Sequence, residues 1–115
     1  MAAAVAEPGK GRGPSIDPSR LELVREFRAR PIGHHSAELT AMLALLRSGA
    51  VKGKYCLICT RPHEEWVIAR MSGVRGMAPV VEDNRVFGSI EEAEWEVFKL
   101  RWAEENGVPI DEDAL

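Results

Sequence analysis

Cysteine is scarce here, with Cys56 and Cys59 the only two in 115 residues. Two thiols cannot build the disulfide framework on which small secreted domains depend, and in a reducing compartment they stay free, so stability has to come from packing. Aromatic residues make up only 6% of the chain, with a single tyrosine, so the placement of each ring matters. No apolar run approaches the roughly 18 residues needed to cross a bilayer. The Ala-rich opening, Met1 to Ala6, lacks the basic start and the length of a secretory signal and is followed at once by Glu7 and Pro8. These absences predict a cytoplasmic protein with no membrane span. Long basic runs are absent too. Residues 1–76 carry 12 Lys/Arg against 7 Asp/Glu and residues 77–115 carry 3 against 11, giving parts of +5 and −8. The positive charges are scattered singly or in pairs without interleaved aromatics, which argues against nucleic acid as a partner.

Catalytic signatures are equally lacking. There is no Ser/His/Asp order, no nucleophile elbow and no Walker pattern. The Gly-Lys-Gly-Arg-Gly run at residues 9–13 follows no strand and has no Gly-Lys-Ser/Thr ending, so it is not a phosphate cradle. The sequence therefore assigns no catalytic, cofactor-binding or metal-binding residue to this chain.

What is present fits one small domain, since 45% apolar and 29% charged residues are ordinary for a globular chain. Residues 1–17 are expected to be a flexible tail, because a composition of Ala, Gly and Pro repays little of the entropy of ordering. Residues 18–107 form the domain, and residues 108–115 an acidic, frayed tail. Asp17 then Pro18 reads as an N-cap and first-turn proline, and Leu21, Val24 and Phe27 recur at helical spacing until Pro31, predicting a helix over 18–29. Ser36 caps a second helix whose stripe is Leu39, Met42, Leu43 and Leu46, ended by Gly49. That helix is expected to lie over one face of a β-hairpin.

The hairpin occupies residues 54–71 and is expected to organise the whole chain. Tyr55 to Thr60 and Trp66 to Met71 are β-prone runs joined by a polar connection with Pro62. Val80 to Glu82 and Arg85 to Phe87 flank a turn at Asp83-Asn84 and add a third or fourth strand. Ser89 and Glu92 form a capping-box pair that opens a long C-terminal helix over 90–105. The predicted class is α+β, with two N-terminal helices, a small antiparallel sheet and that long helix packed across it.

Cys56 and Cys59 match C-x-x-C spacing, yet three residues along a strand place the sulfurs on opposite faces, and no second pair completes a zinc site. They are expected to be small buried hydrophobes. His34 and His35 are adjacent on an extended connector and point apart, and His63, Glu64 and Glu65 form a charged hairpin tip. Along the last helix, Ile90, Ala93, Val97 and Leu100 gather on one arc and Trp95, Phe98 and Trp102 on a second, with Glu94 and Arg101 between. Trp95, Phe98 and Trp102 are the candidate partner interface, because a domain this small has few elements left to cover them. The competing expectation is that the first helix folds over the aromatic arc.

The order of Arg-Pro-Ile-Gly-His-His at 30–35, the Ser-led leucine-rich helix, Gly53-Lys54-Tyr55, Trp66-Val67-Ile68-Ala69-Arg70 and Phe87-x-Ser89-x-Glu91-Glu92-Ala93-x-x-x-Val97-Phe98-x-x-Arg101 resembles the small subunit of N,N-dimethylformamidase, from Pro31 to Trp102. The resemblance implies an accessory subunit without catalytic residues. Its partner is then a large catalytic subunit that hydrolyses linear amides and carries the iron centre, with no cofactor in this chain. The alternatives are a free-standing adaptor domain with no enzyme partner, and a small metal- or thiol-dependent protein built on Cys56, Cys59 and the histidines.

Overall fold

The computed structural model describes residues 16–49, 51–82 and 84–115, so most of the expected N-terminal tail lies outside the described residues. The element order is α1 (Leu21–Ala29), α2 (Ala37–Leu46), β1 (Tyr55–Arg61), β2 (Glu65–Arg70), β3 (Val80–Val81) and α3 (Ile90–Asn106), followed by a 3₁₀ turn at Glu112–Ala114. The class is α+β, as the sequence predicts.

α1 begins later than expected. Asp17 is not its N-cap; its carboxylate accepts from the Ser19 amide (2.9 Å) and hydroxyl (2.7 Å), closing a local turn around Pro18. Helical geometry starts only after Arg20, which offers no side-chain cap. Ile16, which falls within the expected tail, is buried in the core with Leu23, Val24 and Phe27. α2 is capped as expected, with the Ser36 hydroxyl accepting from the Leu39 amide at 3.1 Å. Its stripe of Leu39, Met42, Leu43 and Leu46 is buried, but against α1 and α3 and not against the hairpin.

The sheet has three strands in the order β1-β2-β3, all antiparallel. β1 and β2 pair from Tyr55↔Arg70 to Cys59↔Trp66, and the register shifts between Cys59 and Arg61. β3 pairs Ala69↔Val81 and Arg70↔Val80 on the other side of β2. Residues 85–87 add no fourth strand; Phe87 alone returns to the same edge, exchanging two backbone hydrogen bonds with Trp66.

The organiser of the chain is α3, and not the hairpin. One side of α3 places Val97 and Leu100 against Tyr55, Leu57, Ile68 and Phe87 of the sheet side. Another places Phe98 and Trp102, with Trp95, against the α1–α2 pair. The result is three layers with α3 in the middle, each of its apolar arcs buried against a different neighbour. Its start is secured by Ser89, whose hydroxyl accepts from the Glu92 amide and donates to the Glu92 carboxylate, both at 3.1 Å. Its end is set by Gly107, whose φ of 81° is left-handed backbone that glycine adopts without strain. Beyond it the C-terminal residues are not a loose acidic tail. Ile110 and Leu115 pack on the helical core, Glu112 pairs with Lys99 at 3.1 Å, and Arg25 donates to the Ala114 carbonyl at 3.2 Å.

Candidate functional site

The aromatic arc is covered from within the chain. Phe98 is 2% exposed and Trp102 3%. Phe27 of α1 stacks on Phe98 with ring centroids 4.5 Å apart, and Trp95 and Trp102 flank Phe98 at 5.7 and 6.1 Å. The expectation that Phe98 and Trp102 stand free for a partner therefore gives way to the competing one, in which the first helix folds over them. The physical reason is that the buried stripe of α1, Leu23, Val24 and Phe27, closes one apolar cluster with the α2 stripe and with Phe98 and Trp102. Trp95 is the arc's half-buried member and lies under Lys99, whose Nζ sits 5.3 Å from the ring centroid.

The thiols are separate. Cys56 pairs across the strands with Ala69 and Cys59 with Trp66, so they project from opposite faces and both are free. Cys56 is half-buried, and burial pushes its thiol above the ordinary value against the pull of Arg101. Cys59 is exposed, contrary to the expectation of burial, because the register shift beside it frays the strand and its Sγ turns to the Arg61 carbonyl at 3.3 Å. His63 takes a φ of 61° at the hairpin tip. Cys59, Pro62, His63, Trp66 and Ile90 line an apolar hollow of about 460 Å³ between that tip and the start of α3. Among the described residues, no three His, Cys, Asp or Glu side chains are grouped to hold a metal ion. His34 is exposed, and His35 engages the Arg30 carbonyl at 2.8 Å beside the Phe27 ring, a packing role at the entry to α2.

Two features escape the sequence pattern. The first is a run of exposed apolar side chains: Val74 (55%), Met77 (61%), Val80 (63%), Val81 (48%) and Val86 (55%) fall in one segment, residues 74–86, out of eight large hydrophobics that are exposed among the described residues. This segment contains β3, one of the two edge strands of the sheet. A continuous hydrophobic stripe would have signalled it, but these residues are spaced irregularly among Gly, Pro and charges. The segment is held at its base by Gly73, where a Cβ would come within 2.5 Å of Lys52 Cβ.

The second feature is a polar pocket of about 210 Å³ where the Gly53-Lys54-Tyr55 segment meets Arg101 of α3, with Leu46, Arg47, Ser48, Lys52 and Glu104 completing the lining. Arg101 Nη2 donates to the Tyr55 carbonyl at 3.0 Å across 46 residues of sequence. Beside it Arg70 is a hub. It donates to the Gly53 carbonyl (3.0 Å), pairs with Glu82 (3.1 Å) and Glu104 (2.8 Å), meets the Tyr55 hydroxyl, and lies 4.0 Å from the Tyr55 ring centroid. Burial holds the Tyr55 hydroxyl above its ordinary value. The hub ties the hairpin base, β3 and the end of α3 into one unit.

A family model described as N,N-dimethylformamidase alpha subunit matches residues 15–109. No curated protein matches the chain.

Proposed function

The chain belongs to the N,N-dimethylformamidase alpha subunit family, and on that premise we propose that it is a non-catalytic accessory subunit that assembles with a larger catalytic subunit of an amide hydrolase acting on linear amides. In this reading the hydrolytic chemistry and its iron centre belong to the larger chain, and the present chain supplies surface and no cofactor ligands. The complex works in the cytoplasm, and its partner is protein and not nucleic acid. No described helix is long and apolar enough to cross a membrane.

The observation that carries the assembly reading is the exposed segment 74–86. Five large apolar side chains on one loop and edge strand would leave water on meeting another chain, and concentrated apolar exposure of this kind marks interfaces. The outer edge of β3 adds unpaired backbone groups of the sort that a partner strand or loop engages. On this reading the contact lies on the sheet edge, away from the aromatic arc. The test is co-expression with the large hydrolase subunit, comparing the wild-type chain with Met77→Asp and Val81→Asp. Both positions are exposed, so the free variants should keep wild-type circular dichroism while co-purification is lost. Undiminished complex with both variants would refute this surface, and no association of the wild-type chain would leave the free-standing adaptor.

A further inference from the structure

The pocket between the hairpin base and α3 is short of negative charge. Arg47, Lys52, Lys54 and Arg101 line it, against Glu104 alone, and that carboxylate is held by Arg70 at 2.8 Å. Among the described residues, none of the four cations forms an ion pair. Arg101 is half-buried in the seam of α3 between the two core clusters, and its one hydrogen bond to a described residue runs from Nη2 to the Tyr55 carbonyl. The rest of its guanidinium fork has no acceptor among the described residues. A partly buried guanidinium is stable when a partner answers its charge, and the arrangement here does the opposite by setting Arg47 nearby. Burial, then the Arg47 charge, hold Arg101 below its ordinary value, while Glu94, Cys56 and Glu104 pull the other way.

We propose that this pocket binds an oxyanion, a carboxylate or phosphate group, with Arg101 as the planar fork beneath it and Arg47, Lys52 and Lys54 around the rim. A volume of about 210 Å³ admits a small anion or a single acidic side chain, and the fork geometry of arginine matches two oxygens of either group. The Tyr55 carbonyl holds one nitrogen of the fork, so its orientation does not have to be won at the moment of binding. The same chemistry has two sources, a free anion in solution or an acidic side chain of the protein partner.

The test uses the full chain labelled with ¹⁵N and titrated with sodium phosphate, sodium acetate and, at matched ionic strength, sodium chloride. If the source is a free anion, phosphate or acetate produces saturable shifts at the Arg101 Nε–H and at the Gly53 and Tyr55 amides. Chloride does not, and Arg47→Gln with Lys54→Gln weakens binding at least about tenfold. Those rim residues serve as the variants because Arg101→Gln risks the seam itself. If the source is a partner carboxylate, small anions leave the signals unmoved. Arg47→Glu then weakens co-purification with the large subunit at least about tenfold, while Arg47→Lys preserves it. Shifts that follow ionic strength alone, equal for all three salts, together with an unaffected Arg47→Glu complex, would overturn the proposal. Because the sheet-edge contact is tested separately at Met77 and Val81, failure of either reading leaves the other standing.

Discussion

Replacing Trp102 by alanine separates a core role from an interface role more cleanly than any other single change. The ring is 3% exposed, lies 6.1 Å from Phe98 and belongs to the cluster that joins α1, α2 and α3. A tryptophan buries about 150–250 Å², and at about 25 cal/mol per Å² its removal from water contributes ~4–6 kcal/mol. Measured Phe and Trp truncations in cores cost about 3–5 kcal/mol. Domains of this size have a total stability of only about 5–15 kcal/mol. Trp102→Ala should therefore lower the urea midpoint by about 2 M, taking an m-value of about 2 kcal/mol per molar, and part of the population should be unfolded in buffer. Far-ultraviolet circular dichroism through a urea titration of the free chain measures this. Trp95→Ala, at a half-buried edge of the same arc, should cost less than half as much. The reasoning fails if Trp102→Ala melts within about 0.5 M of wild type, and it fails most clearly if such a stable variant has lost the large subunit. In that case the arc is an interface and α1 does not cover it in solution.

Three further outcomes follow from local geometry. Ser89→Ala removes the acceptor for the Glu92 amide and should cost about 1 kcal/mol, read as a lower thermal midpoint, with Ser89→Asp retaining most of it. Glu26 accepts from the Ser36 amide and hydroxyl, each at 2.7 Å, and these two bonds, the amide first, hold its carboxyl below the ordinary 4.5. A carboxylate depressed by folding adds stability that is present above its unfolded value and lost as pH falls through the folded one. Midpoints measured from pH 6 down to 3 should therefore fall more steeply for wild type than for Glu26→Gln. Finally, an aromatic disulfide reagent at neutral pH should modify the exposed Cys59 fast and Cys56 slowly, since burial raises the Cys56 thiol. Equal rates at both would mean that the strand register around Cys59 is wrong.

Much of this molecule can be read one residue at a time. The Ser36 and Ser89 caps, the stripe of α2 and the two β-prone runs around Pro62 are local signals, and each appears where the pattern puts it because short-range hydrogen bonding and side-chain periodicity decide it. The α+β class follows from them. Failures occur where a residue's fate depends on something distant. Asp17 looks like a cap until Ser19 offers its carboxylate a closer partner. Ile16, Ile110 and Leu115 look like tail residues, yet the helical core has room for them.

The sequence by itself determined the three helices and the hairpin, the opposition of Cys56 and Cys59 across a strand, and the fact that α3 carries two apolar arcs with Arg101 between them. Which neighbour meets each arc is decided only by tertiary packing, because periodicity reports that a surface is apolar and not what covers it. The stacking of Phe27 on Phe98 converts an apparent interface into core, and in doing so leaves residues 74–86 as the concentrated apolar exposure among the described residues. The basic pocket is likewise invisible in the linear charge pattern. Arg47, Lys52 and Lys54 lie within eight positions of one another, but Arg101 comes from the far end of the chain and is carried there by the helix that both halves of the core share.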